Sequence, residues 1–163
     1  MAVRVDPRDI NLGEERVIKI NRTAATIKGG RRFSFSAVVV IGDEKGTVGW
    51  AMGKAREVPL AVDKGVRNAR KNLYRVPLYN QTIPHPIIGK FGASSVKLIP
   101  AAPGTGIISG AVVRAVLESV GVHDVLTKVY GSHNAINLVQ ATFNGLLNLR
   151  SKSEIEELRG VKI

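Results

Sequence analysis

The 163-residue sequence predicts an α+β protein made of two consecutive units, β-β-β-α and then β-β-α-β-α, the second a two-layer unit with helices on one sheet. Three observations predict it. Strand-like alternation crowds residues 16–56 and then gives way to a helical-period stripe. The stretch "VPLYNQTIP", residues 76–84, breaks every period with two prolines and an Asn-Gln pair. Beyond it the order becomes hairpin, helix, strand, helix. The expected boundaries are therefore 1–14 for an N-terminal extension, 15–76 and 77–150 for the two units, and 151–163 for a tail carrying a short helix.

Each element has its own signal. "RVIKINR", from Arg16, alternates with Ile18 and Ile20 facing one way. "FSFSAVVVI" puts Phe33, Phe35, Ala37, Val39 and Ile41 on one face, with the two phenylalanines anchoring the strand in a core. "GDEKG", Gly42 to Gly46, reads as a hairpin turn. "TVGWAMG" sets Val48, Trp50 and Met52 against a small face of Thr47, Gly49 and Ala51, which calls for a neighbour close to the backbone. Trp50 is expected as half-buried core rather than as a stacking surface. "EVPLAVDKGVRNARKNLY" reads as a helix, with Pro59 in its first turn and a stripe of Val62, Val66, Ala69 and Leu73.

In the second unit, "HPIIGKFGASSVKLIPA" predicts a hairpin turning near Phe91–Ser94. "GTGIISGAVVRAVLESVG" predicts a helix with Ile108, Val112, Ala115 and Ser119 on one face and Gly121 as its stop. "VHDVLTKVY" reads as a strand. "NAINLVQATFNGLLNL" reads as a helix capped by Asn134. The tail "SEIEELRG" opens with a capping box of Ser153 and Glu156.

Charge points to the kind of partner. The chain carries 24 Lys+Arg against 13 Asp+Glu, net +11, with a pI near 10.4. Such a field favours polyanions. It is concentrated: residues 16–75 hold 14 basic and 4 acidic side chains, whereas residues 76–163 hold 8 and 5. No apolar run approaches a membrane span, and no signal or transit peptide is expected at the N-terminus. Cysteine is absent, which rules out disulfides and thiolate metal sites and suits a reducing, cytosol-like compartment.

The residues give little for an enzyme. His85, His123 and His133 fall on different elements without metal-ligand spacing, and no serine sits in a G-x-S-x-G elbow. No catalytic residue, metal site or cofactor is expected. "PGTGIISG" enters the predicted helix, where free N–H groups can hold phosphate. It misses the P-loop spacing, with five residues between Gly104 and Gly110 and no Lys-Ser/Thr after them. A helix start pressed against a neighbour is the plainer reading, and a nucleotide- or phosphate-binding enzyme is the alternative.

The strongest site is the loop "NRTAATIKGGRRF", Asn21 to Phe33. Gly29 and Gly30 permit unusual backbone angles and keep no side chain between the chain and a phosphate. Arg22, Lys28, Arg31 and Arg32 supply charge, and arginine binds phosphate bidentately. Asn21, Thr23 and Thr26 can hydrogen-bond phosphate or a 2′-hydroxyl. No acid lies between Arg16 and Ile41. Lys54 and Arg56 after the third strand, and Lys64, Arg67, Arg70 and Lys71 on the helix, extend the expected RNA-binding set.

"KGGRRFSF" and "GDEKGTVGWAMGKAREVP" closely resemble the bacterial-type signature of the small-subunit ribosomal protein S5 family. "HP", "GTGIISG", "RAVLE" and "GV…YGS" follow in matching order, so the resemblance covers about residues 15–150. It implies a double-stranded-RNA-binding-like first unit, and a second unit whose architecture is shared with some phosphate-binding kinases. It implies a structural, non-enzymatic role in the cytoplasm within the small subunit. The implied partners are small-subunit rRNA, the proteins S4 and S8, and the nearby path by which mRNA enters. Effects on assembly and decoding accuracy are implied too, with no membrane and no homo-oligomer. The loop matching Asn21–Arg32 would reach rRNA near the spectinomycin site. Gly104, Thr105, Gly106 and Arg114 would face S4. Many relatives carry Val-Ser-Lys or Val-Ala-Lys where this chain has Thr23-Ala24-Ala25, so one loop cation is missing at Ala25. A free-standing double-stranded-RNA-binding regulator is a further alternative.

Overall fold

In the computed structural model, which describes residues 3–6, 10 and 12–162, the run Ala37–Ile41 is buried on both sides of its strand. A strand with two buried faces needs a layer on each side, and the other elements supply them. The first sheet contains β1 (Val3–Val5), β2 (Arg16–Ile27), β3 (Gly30–Gly42), β4 (Thr47–Ala55) and β5 (Leu73–Arg75). Its order is β1-β5-β4-β3-β2, antiparallel throughout. Helix α1 (Val58–Arg70) covers one face, where Ala37, Val39, Ile41 and Ala51 meet Ala61, Val66, Ala69 and Leu73.

The second sheet contains β6 (Ile87–Phe91), β7 (Ser94–Pro100), β8 (Ile107–Ile108) and β9 (Val125–Gly131), ordered β6-β7-β9-β8. Helices α2 (Ala111–Val120) and α3 (Ala135–Leu147) lie between the two sheets. One apolar cluster joins Val38, Val40 and Val48 of the first sheet to Val96 and Leu98 of the second. Val113, Val116 and Leu117 of α2 and Leu138, Val139 and Phe143 of α3 complete it. Trp50 is half-buried within it, its ring 6.3 Å from Phe143 at an interplanar angle of 57°. The tail forms α4 (Lys152–Arg159).

The α+β class and the order β-β-β-α, β-β-α-β-α hold, with β1, β5 and β8 added. The two units share a core. The turn after β3 also docks on the end of α2: the Glu44 N–H donates to the Ser119 carbonyl at 3.2 Å and the Gly46 N–H to Val120 at 2.8 Å. An Arg16–Glu118 ion pair ties β2 to the same helix. The 76–84 segment is docked as well. Its Gln81 carbonyl accepts the N–H groups of His123 and Asp124, and the Thr82 hydroxyl donates to the Asp124 carbonyl at 2.6 Å.

The small face of β4 does meet a close neighbour. A side chain on Gly53 would run into the Ala61 carbonyl and the Gly65 backbone of α1. The second unit repeats the device: a side chain on Gly89 of β6 would strike the Ala141 carbonyl and the Gly145 backbone of α3. Helix and strand touch backbone to backbone at both places.

Several local readings change. The α1 stripe is Ala61, Gly65, Val66 and Ala69, with Val62 only half-buried, because so close a contact selects small residues over large ones. The helix ends at Arg70, since Leu73 is drawn into β5 to pair with both β1 and β4. A bulge between Val17 and Lys19 parts Ile18, on the α2 side, from Ile20, opposite Ala37. Helix α2 begins at Ala111, so Gly104–Gly106 is no helix start and Ile108 is an exposed strand residue. Its buried face is Val113, Val116, Leu117, Ser119 and Val120. The capping box is Ser151 with Glu154, two residues before the predicted one.

Substituting Gly53→Ala should destabilise the full chain by about 3 kcal/mol and lower its Tm by about 6–12 °C. A thermal melt reads this directly, and an unchanged Tm would contradict the backbone contact at Gly53.

Candidate nucleic-acid interface

The predicted loop is a two-stranded arm. Strands β2 and β3 stay in register from Asn21↔Ser36 out to Ile27↔Gly30, leaving only Lys28 and Gly29 as the turn. Residues 21–27 are therefore strand, not loop. The apolar alternation fades there because the arm has left the core, and main-chain pairing alone carries it on. Of the two tip glycines, Gly30 has the demanding backbone, with φ of 138°. No protein atom lies within 4 Å of a side chain built at Gly29 or Gly30, so the tip is bare.

The register sorts the predicted residues by face. Arg22 lies across from Phe35, Ala24 from Phe33, and Thr26 from Arg31, all on the face that carries α1 further down. Asn21 lies across from Ser36, Thr23 from Ser34, and Ala25 from Arg32, on the opposite face. Lys54 pairs with Ser36 from the β4 side and joins that second face. Arg31 and Arg32 thus point to opposite sides of the arm, with Lys28 between them at the end.

The first face carries the aromatic rings with Arg22, Arg31 and Thr26; the second carries most of the hydroxyls, with Arg32 and Lys54 beside them. On the first, the Arg22 guanidinium carbon sits 4.0 Å from the Phe33 ring centroid. Phe33 is 45% exposed, so it does not anchor the core; Phe35, next to Ala55 and packed on the α1 cluster, does. On the second, the Thr23 and Ser34 hydroxyls are 3.1 Å apart, and Thr23 Oγ1 also donates to the Ser34 carbonyl. Sequence alone does not mark Ser34 and Ser36. Cross-strand pairing with Thr23 and Asn21 reveals them, and strand register is what that signal needs.

Lys64, Arg67 and Arg70 are exposed along α1, Lys71 is exposed just past its end, and Arg56 is exposed in the bend after β4. They lie away from the arm's tip, on the helix and at the strand end. The basic set is therefore an arm plus a helix surface.

Gly104, Thr105, Gly106 and Arg114 come together at one edge of the second sheet. Gly104 and Gly106 have φ of 87° and 77°, with open space around both. They are glycine for their backbone angles and not for close packing, which corrects the sequence reading. The Thr105 N–H and hydroxyl both donate to the Ala102 carbonyl. The Gly106 N–H donates to the buried Asp124 carboxylate at 2.8 Å, and Arg114 donates to the Ile107 carbonyl at 2.8 Å. Two backbone donors of the turn, the Thr105 and Gly106 N–H groups, are thus already engaged, the second by a carboxylate. Among the described residues no group of three or more His, Asp or Glu is placed to hold a metal ion.

Two family models match the chain. Residues 13–77 match the N-terminal domain of ribosomal protein S5, and residues 89–159 match its C-terminal domain. The chain belongs to the ribosomal protein S5 family. It is 54% identical over 156 residues to small ribosomal subunit protein uS5 of Chloroflexus aurantiacus, covering 96% of this chain and 87% of the relative. The uS5 of Syntrophobacter fumaroxidans is 51% identical over 149 residues, covering 91% and 90%. That of Rhodopirellula baltica is 52% identical over 147 residues, covering 90% and 83%. The arm, Lys54, Arg56 and α1 fall within the S5 N-terminal domain, and the Gly104–Gly106 turn with Arg114 within the C-terminal one.

The double substitution Arg31→Ala/Arg32→Ala should weaken binding to small-subunit rRNA and reduce the log–log salt slope by about 2. The bare tip leaves Tm unchanged. Filter binding at several salt concentrations measures it; an unchanged slope would remove the tip from the RNA contact.

Proposed function

We propose that the chain is a non-enzymatic structural constituent of the cytoplasmic small ribosomal subunit, held on small-subunit rRNA by its basic arm. Membership of the S5 family supports the role. One observation carries the mechanism: an ordered arm with cations at its tip and on both faces, and no acid from Arg16 to Ile41. Lys28, Arg31 and Arg32 neutralise phosphates from three directions. Asn21, Thr23 and their cross-strand partners Ser34 and Ser36 offer hydrogen bonds to sugar 2′-hydroxyls, the groups by which RNA differs from DNA. Lys54 adds a cation to the hydroxyl face, and Arg56 with Lys64, Arg67 and Arg70 on α1 and Lys71 just past its end engages a second stretch of backbone.

The Gly104–Gly106 turn with Arg114 is the protein-facing surface, with S4 as its neighbour; S8 and incoming mRNA lie near other parts of the chain. The turn suits such a contact because its shape is fixed from within by Asp124 and Ala102. Through these contacts the chain contributes to subunit assembly and to decoding accuracy.

In native extract the full chain should sediment with small subunits at moderate salt. Calorimetry with ATP and magnesium should show no saturable binding. A chain that stays at the top of the gradient, or that binds ATP tightly, would overturn the proposal.

A further inference from the structure

We infer that Arg22 and Phe33 together form a stacking platform for one unpaired base of the bound RNA. This rests on the reading of the arm as an rRNA-binding element. The starting point is a residue the core does not explain. Phe33 lies beyond the last apolar contact of its face, opposite only Ala24, and stays 45% exposed. Phe35 already anchors the strand against the α1 cluster. An aromatic ring on a solvated arm therefore has surface to offer.

Arg22 turns that surface into a shaped one. The register sets it diagonal to Phe33 across the ribbon, and its guanidinium lies over the ring at 4.0 Å. A guanidinium held over a ring in this way has less freedom left to lose, and its outer side offers a surface on which a base can stack. Arg22 is itself exposed, and the neighbouring Ala24 is exposed and too small to cover the pair. The next row out holds Thr26 and Arg31, so a phosphate next to the stacked base meets a cation on the same face.

The ligand class follows from the geometry. Within a duplex every base face is covered by its neighbours, so a stacking plane can take only a bulged, flipped or terminal nucleotide. The opposite face of the arm, with its hydroxyls, suits the continuous backbone of a helix. The arm would thus recognise a paired stem on one side and an unpaired base on the other. An aromatic residue of a protein neighbour is the rival occupant; the acid-free, cationic surroundings favour RNA.

The test uses the full chain and two RNA hairpins that share a stem. One carries a single bulged 2-aminopurine; the other is fully paired. The wild type should prefer the bulged probe by about tenfold and quench its fluorescence. Phe33→Leu and Arg22→Lys should both abolish the preference and the quenching, while Phe33→Tyr keeps them. The salt slope should stay as in wild type for Phe33→Leu, which shows that its arm still presents its cations to the RNA. Equal affinity of the wild type for the two probes would overturn the inference and leave Phe33 to a protein neighbour. Retention of the preference in Phe33→Leu would overturn it as well. Failure to bind either probe at low salt would overturn the rRNA reading of the arm together with the platform.

Discussion

Backbone contact between helix and strand sets the spacing of this molecule. At Gly53 the turn of α1 from Ala61 to Gly65 rests directly on β4, and at Gly89 the turn of α3 from Ala141 to Gly145 rests directly on β6. The two contacts use the same local geometry: a strand glycine under a helix carbonyl and a helix glycine four residues on. With no side chains between them, helix and sheet approach more closely than an ordinary packed pair. The apolar residues beside the contact then close over it. On α1 these are mostly alanines and valines, which suits a chain only 5% aromatic. Little aromatic volume is needed where the layers already touch.

The same economy applies to β3. Its inner half is covered by α1 on one side and by α2 and α3 on the other, so one strand serves two layers. The arm is the outer half of that strand and of β2. Its base is clamped in the core at Ala37–Ile41, and its pairing continues outward without a break. The charged segment is thus no free loop: the most deeply buried strand in the first unit carries it.

Much of this was legible in the sequence, and the exceptions have physical reasons. The alternation of "FSFSAVVVI" reveals the face of Ala37, Val39 and Ile41. The consecutive valines also signal burial of Val38 and Val40 on the other face, but what covers that face lies more than seventy residues away. The small face of β4 announces a close neighbour; the matching Gly65 carries no hydrophobic signal and is passed over in favour of Val62. The tail holds two overlapping Ser-x-x-Glu candidates, at Ser151 and Ser153, and local chemistry does not choose between them. Gly104 and Gly106 look like a helix entrance because glycine serves both for tight packing and for unusual angles. Here the angles decide. The basic residues of the arm were found from composition, yet their division between two faces depends on register, which no single strand contains.

Register also limits how the arm can vary in length. Successive residues along each strand alternate between the aromatic face and the hydroxyl face. Loss or gain of a single residue between Asn21 and Ile27 would turn every side chain beyond that point to the opposite face, unless a bulge absorbed it. Changes in step, two residues at a time and matched across the ribbon, would move the tip in or out while leaving each face chemically intact. The arm is in this sense a ruler graduated in residue pairs. Its reach is adjustable only in increments of about 7 Å, two residues of extended chain.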